Sequence, residues 1–175
     1  MTAQEAYDLA TGGGAAEFAR LIAACEAFGP YCLIGGLAVN CYVEPVYTLD
    51  ADIVVISSSL QALATNLREQ GYKTEAHPHS LNAQPAGSEL RIQFTTDERY
   101  QEFPDRSREA VVLGVRAKVA CLDDVTRGKL WAFSDPKRRL SKRKKDELDL
   151  IRLAEVYPQL MALYPDDLRQ QLERG

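Results

Sequence analysis

The chain has 175 residues, 46% hydrophobic, 26% charged and 8% aromatic, the balance of one ordinary globular domain with a real core. No apolar run approaches the ~20 residues of a membrane-spanning helix, and Met1 to Leu9 lacks the basic start and apolar stretch of a secretory signal, so no membrane partner and a cytoplasmic location are expected. The formal net charge is −4, yet Lys137, Arg138, Arg139, Lys142, Arg143, Lys144 and Lys145 crowd seven cations into nine positions, which points to a local site for phosphates or RNA on an acidic body.

In chain order, Thr11-Gly12-Gly13-Gly14 reads as a flexible hinge, without the preceding strand and following Lys-Ser or Lys-Thr of a phosphate-binding loop. Ala15 to Phe28, with Phe18, Leu21, Ile22 and Cys25 at helical spacing, reads as an amphipathic helix stopped by Gly29-Pro30. Tyr31 to Ile34 is a short buried strand running into Gly35-Gly36, and Leu37 to Val43 a short helix broken by Pro45. Asp52 to Ile56 is rich in β-branched residues and reads as a central strand, after which Ser58 or Ser59 caps a helix from Leu60 to Gln70 that ends at Gly71. Tyr72 to Ala76 is a further strand.

His77 to Gly87 reads as a polar loop, and its two histidines, without a Cys or Asp cluster, as exposed residues rather than metal ligands. Having no other histidine, the chain also lacks an obvious base for Ser-His-Asp or Cys-His chemistry. Leu90 to Thr95 alternates as a half-exposed strand, and Val111 to Val119 folds as a hairpin about Gly114. Leu122 to Phe133, Ser141 to Val156 and Pro165 to Glu173 carry helical periodicity and form a C-terminal helical bundle. Cys25, Cys32, Cys41 and Cys121, without CxxC spacing, read as reduced core residues. Tyr31 and Phe133 read as core, while Tyr47 and Trp131 are free to stack on a base.

The chemistry is concentrated between Ile34 and Asp52. A glycine turn between strand and helix lets backbone N–H groups approach an anion at a helix N-terminus. Fourteen residues after Gly36, Asp50 and Asp52 stand at i and i+2, so both carboxylates point to one face of a strand. Two like charges held together call for a cation, and Mg²⁺ is commonly bound by one or two carboxylates plus substrate phosphates.

This arrangement resembles the nucleotidyltransferase superfamily of polymerase β-like fold, whose signature is a hydrophobic residue, Gly-Gly or Gly-Ser, a short spacer and Asp-x-Asp. Ile34-Gly35-Gly36-Leu37-Ala38-Val39 and Thr48-Leu49-Asp50-Ala51-Asp52 look most similar to AbiEii-type toxins of toxin–antitoxin pairs, and Lys129-Leu130 and Lys145-Asp146 match that group's later motifs. The resemblance implies an α/β (α+β) fold, a mixed sheet flanked by helices with a C-terminal helical bundle, divided as a core over residues 1–120 and a helical region over 121–175 packed on it. It implies catalytic Asp50, Asp52, Lys129 and Asp146; a nucleotide held by Gly35, Gly36, Thr48, Lys129 and Lys145; and Mg²⁺ or Mn²⁺ on Asp50 and Asp52. The expected reaction moves a nucleoside monophosphate from an NTP to a hydroxyl of RNA, such as tRNA, or of protein, with Lys137 to Lys145 facing RNA and an antitoxin as partner.

Three departures accompany it. Val46 and Tyr47 stand where the family often has Arg, and Arg91 and Gln93 stand where many active members carry a third carboxylate as general base, with Glu89 one pleat further out on the same face. Glu44 and Asp123-Asp124 have no place in the mechanism and read as surface and helix-cap carboxylates. The alternative function is a catalytically degenerate module of the same fold that binds nucleotide, RNA or protein.

Overall fold

The computed structural model describes residues 2–175. The chain opens with a helix that the sequence reading left out, α1 (Ala3–Thr11), started by a capping box: Thr2 Oγ1 accepts from the Glu5 N–H and the Glu5 carboxylate accepts from the Thr2 N–H. The expected hinge at Thr11 to Gly14 is instead a tight helix–helix turn. Gly12 ends α1 in the left-handed region, and buried Thr11 donates its hydroxyl to the Tyr7 carbonyl while accepting from the Gly14 N–H.

Next come α2 (Gly14–Phe28), β1 (Tyr31–Ile34), α3 (Gly35–Val39) and β2 (Asp50–Val55). The first of these, α2, places Phe18, Leu21, Ile22 and Cys25 in the core, as its spacing predicts. The third begins at Gly35 itself and lasts five residues, so the helix expected over Leu37 to Val43 is shorter and earlier, its last residues being turns. A 3-10 turn at Ser57–Ser59 leads into α4 (Leu60–Glu69), with no side-chain cap from Ser59, so the expected serine cap is not formed.

The loop expected from His77 to Gly87 is the largest correction: β3 (Lys73–His77) turns back into β4 (Ser80–Gln84), which pairs on its other edge with β5 (Arg91–Thr95). Leu81 and Ala83 are buried between polar neighbours, a short period-2 pattern that His77, Pro78 and Pro85 masked. Completing the sheet are β6 (Arg108–Val112) and β7 (Val115–Val119), joined through Leu113 and Gly114, both at positive φ as a two-residue I′ turn requires.

All seven strands form one mixed sheet in the order β3-β4-β5-β2-β1-β7-β6, with β1–β7 and β2–β5 parallel and the other pairs antiparallel. The last elements are α5 (Leu122–Ser134), α6 (Leu140–Val156), a 3-10 stretch at Pro158–Leu163 and α7 (Asp166–Arg174). This is the expected mixed sheet flanked by helices. Contacts run from α2 to α4 and β7, and from α3 to β1, β2, α5 and α6, so the C-terminal helices share the core with the sheet. Asp123 is exposed as expected, but Asp124 is fully buried and takes two hydrogen bonds from Arg106 and one from Arg127, a structural cluster rather than a surface cap.

Candidate active site

Strand parity sends Asp50 and Asp52 to the same face of β2, while Ala51 and Ile53 go into the core. The neighbouring β1 ends opposite Asp52, in the register Ile34↔Asp52, so the chain turns into α3 directly against that carboxylate. At Gly35, with φ +67°, an added Cβ would lie 2.2 Å from Asp52 Oδ2, so only glycine lets the carboxylate pack onto the main chain here. Gly36 approaches Thr48, whose hydroxyl accepts from the Asp50 N–H at 3.2 Å and fixes the start of the acidic strand. The five-residue α3 is too short for a substantial macrodipole, so any anion here is met by local N–H groups of the glycine turn.

The two carboxylates differ sharply. Asp50 is held by Arg91 Nε at 2.7 Å and Lys142 Nζ at 2.8 Å. Burial pushes its pKa up, but the hydrogen bond and charge of Lys142, with Arg91 and Lys145, outweigh it and hold the group below the ordinary carboxylate value. Asp52 has no side-chain hydrogen bond among the described residues; burial raises its pKa, reinforced by Asp50 and opposed by the Lys129 charge.

Facing this strand, α5 contributes Lys129 and α6 contributes Asp146 and Asp149. Lys129 is 8% exposed and lies 3.0 Å from Asp146 Oδ1 and 2.7 Å from Asp149 Oδ2. Burial alone lowers its pKa; the two carboxylates outweigh that and hold it above its ordinary value, charged at neutral pH. Asp146 also accepts from Arg138 Nε at 2.6 Å. Asp50, Asp52, Lys129, Asp146, Gly35, Gly36, Thr48 and Lys145 therefore line one connected set of clefts, the principal ones about 470 and 160 Å³.

Sequence reasoning missed Arg91 and Lys142 as partners of Asp50, and Asp149 as the second carboxylate on Lys129. The signal for Asp149 was present: Asp146 and Asp149 stand at i and i+3 on one helix face, opposite a lysine in an otherwise amphipathic helix. The basic run divides: Arg138, Lys142 and Lys144 are paired with Asp146, Asp50 and Glu147, while Lys137, Arg139, Arg143 and Lys145 make no ion pair among the described residues. On β5, Gln93 lies opposite Asp52 and Arg91 opposite Asp50. Glu89 is exposed before the strand, its N–H bonded to the Thr11 carbonyl at the α1–α2 turn. Tyr31 is in the core; Trp131 is packed among Tyr100, Phe103 and Arg99. Tyr47 is 55% exposed.

The donor set fits a hard divalent cation: two carboxylate groups on one strand face, the Asp52 group without a side-chain hydrogen-bond partner among the described residues, beside a cleft with room for the phosphates that complete such sites. No group of three or more His, Cys, Asp or Glu side chains poised for a metal occurs among the described residues.

No family model and no curated protein sequence matches the chain. Solved structures do. The antibiotic-resistance factor ANT(2″)-Ia in complex with adenylyl-2″-tobramycin superposes with a TM-score of 0.61 at 14% identity, over 92% of this chain and 97% of that one. A solution structure of the same factor gives 0.54 at 15% identity, over 90% and 89%. Likeness over nearly the full length of both chains at so low an identity establishes architecture, and the chain has the nucleotidyltransferase fold.

Proposed function

We propose that the protein is a nucleotidyltransferase that moves a nucleoside monophosphate from an NTP to a hydroxyl acceptor, assisted by Mg²⁺ or Mn²⁺ on Asp50 and Asp52. The observation that carries this reading is the packing of Gly35 against the Asp52 carboxylate on the strand face shared with Asp50. ANT(2″)-Ia, bound to adenylyl-2″-tobramycin, couples this fold to an adenylylated product.

The metal, when bound, neutralises phosphate charge and polarises the phosphorus under attack. Gly35 and Gly36 admit phosphate oxygens close to the main chain, and Thr48 holds the Asp50 backbone in place. Lys129, kept charged by Asp146 and Asp149, offsets part of the negative charge gathered at Asp52 beside the transferring group. Lys145, which contributes to the field on Asp50, stands ready for the outgoing pyrophosphate. The acceptor hydroxyl gives up its proton to solvent as its oxygen bonds to the α-phosphorus, the bond from that phosphorus to the oxygen bridging to the β-phosphate breaks, and pyrophosphate leaves with that bridging oxygen. An RNA hydroxyl is the acceptor that Lys137, Arg139 and Lys145 favour. A toxin role with a cognate antitoxin rests on the motif resemblance to AbiEii-type proteins.

Isothermal titration with each NTP and Mg²⁺ tests the donor half. Metal-dependent micromolar binding, lost in Asp50→Ala/Asp52→Ala, is expected; if no NTP binds, the reading falls. A second reading, a nucleotide-binding module without turnover, is favoured by one observation: Gln93 and Arg91 occupy the positions opposite the two aspartates. Binding without pyrophosphate release, across RNA and small hydroxyl acceptors, would select it.

A further inference from the structure

Beside Asp50 and Asp52, the face of the β5-β4-β3 part of the sheet that carries Arg91, Gln93, Asn82, Gln84, Lys73 and Glu75 is polar, and its residues fall in rows. The strand registers align Asp52 with Gln93, Gln93 with Asn82, and Asn82 with Glu75. The adjacent row begins Asp50↔Arg91 and ends Gln84↔Lys73. Their alternating partners Leu81, Ala83, Ile92 and Phe94 are buried on the other face, which fixes which side chains meet the cleft. With Arg138 from the turn before α6 and Lys142 from its first turn, this face lines the cleft of about 470 Å³.

Beyond the acidic strand this face carries two cations, Arg91 on β5 and Lys73 on β3. Arg91 is committed to Asp50 by one nitrogen, and its side chain is still 57% exposed. Lys73 makes no ion pair among the described residues and is exposed at the far side of the cleft. The one acid on this outer part, Glu75, is 3.7 Å from His77. Between Lys73 and Arg91 stand amide side chains, whose paired donors and acceptors suit a polar ring edge or a sugar.

We propose that this face is the acceptor subsite and that it takes an acceptor bearing a phosphate group, held by Lys73 and Arg91 with its polar body over Asn82, Gln84 and Gln93. The inference rests on the nucleotidyltransferase reading for the neighbouring donor site. Arginine opposite Asp50 then has a function of its own: it draws the acceptor's phosphate toward the acidic strand, at a position where a carboxylate would repel it. The same phosphate chemistry is offered by a free mononucleotide or by the end of an RNA.

The test uses the full chain and the Lys73→Glu variant, which alters an exposed side chain three strands from Asp52, roughly 14 Å at ~4.8 Å per strand. Each is titrated with AMP, adenosine, a six-nucleotide oligo(A) RNA and tobramycin. The titrations are run with and without saturating Mg²⁺ and the non-hydrolysable ATP analogue AMPCPP. AMP or the RNA is expected to bind in the AMPCPP-loaded protein, at least tenfold more weakly in Lys73→Glu, with adenosine and tobramycin bound far less. Equal binding of AMP and RNA identifies a free monoester as sufficient; binding of RNA alone identifies the polymer. Binding of neither, binding unaffected by Lys73→Glu, or preferred binding of tobramycin overturns the proposal. AMPCPP binding itself is read separately: its absence strikes the donor reading, and its presence beside a face indifferent to phosphate strikes this one alone.

Discussion

At the scale of single residues, the two aspartates of β2 are chemically unequal although they share a face. Asp50 is satisfied by two cations, whereas the Asp52 side chain is packed on Gly35 without a hydrogen bond among the described residues and with its pKa raised chiefly by burial. A carboxyl whose folded-state pKa exceeds its unfolded value opposes folding when ionised. That penalty is full above the folded value and vanishes below the ordinary 3.8. We therefore expect Asp52→Asn, without metal or nucleotide, to raise Tm at pH 7 while removing metal-dependent NTP binding. The gain should shrink as pH falls through the folded-state pKa. Thermal melts of both proteins between pH 4 and pH 8 check it; a variant less stable than the parent at pH 7 contradicts the assignment. Lys129 behaves oppositely: with its pKa raised by Asp149 and Asp146 against the cost of burial, its stabilising contribution is full at neutral pH and is lost only above 10.5.

At the scale of elements, the site depends on pieces that look peripheral. The β3–β4 hairpin supplies no acidic catalytic residue, yet β4 buries Leu81 and Ala83 and so holds Asn82 beside Gln93. Leu81 is 3% exposed, and Leu81→Ala is expected to cost about 2–5 kcal/mol, as for other buried leucine truncations. Denaturant unfolding measures the loss. Because β4 lies between β3 and β5, the same variant should weaken contacts made by Lys73 and Asn82 more than NTP binding at Asp50 and Asp52. Elsewhere, the α1–α2 turn is tied to the loop before β5: the Thr11 carbonyl accepts from the Glu89 N–H and the Ser88 hydroxyl. A glycine-rich segment thus serves as a buried joint, because its neighbouring threonine satisfies the polar groups that the turn exposes.

At the scale of the molecule, the clefts around Asp52 and Lys129 lie where the sheet, α3, α5 and α6 meet, so a ligand bound there would join the N-terminal and C-terminal parts of one core. A ligand that binds only the folded state at a hundred times its Kd adds about 2.7 kcal/mol of stability. For a chain of this length that corresponds to a rise in Tm of roughly 5–11 °C. Thermal melts with saturating Mg²⁺ and AMPCPP should show this rise, and Asp50→Ala/Asp52→Ala should abolish it. An unchanged Tm in the parent would argue against a nucleotide held between the two halves. The concentration of cations at the start of α6 is also resolved at this scale. Lys142 reaches Asp50 across 92 positions of sequence and Arg138 reaches Asp146, so part of the basic run neutralises the site's own acids.

The sequence by itself determined what depends on local pattern: the β1–glycine turn–α3–β2 order, the shared face of Asp50 and Asp52, and the amphipathic helices α2, α5 and α6. These follow from periodicities of 2 and 3.6 and from the freedom of glycine, which neighbours along the chain express directly. It carried signals that went unread for α1, in Thr2 and Glu5, and for Asp149. Only the tertiary structure decided that Arg91 and Lys142 grip Asp50, that Gln93 stands opposite Asp52, and that Lys129 is buried between Asp146 and Asp149. Each is a pairing between elements distant in sequence. Strand order and helix packing set these pairings, because the energy that selects them comes from burial and charge neutralisation across the assembled core.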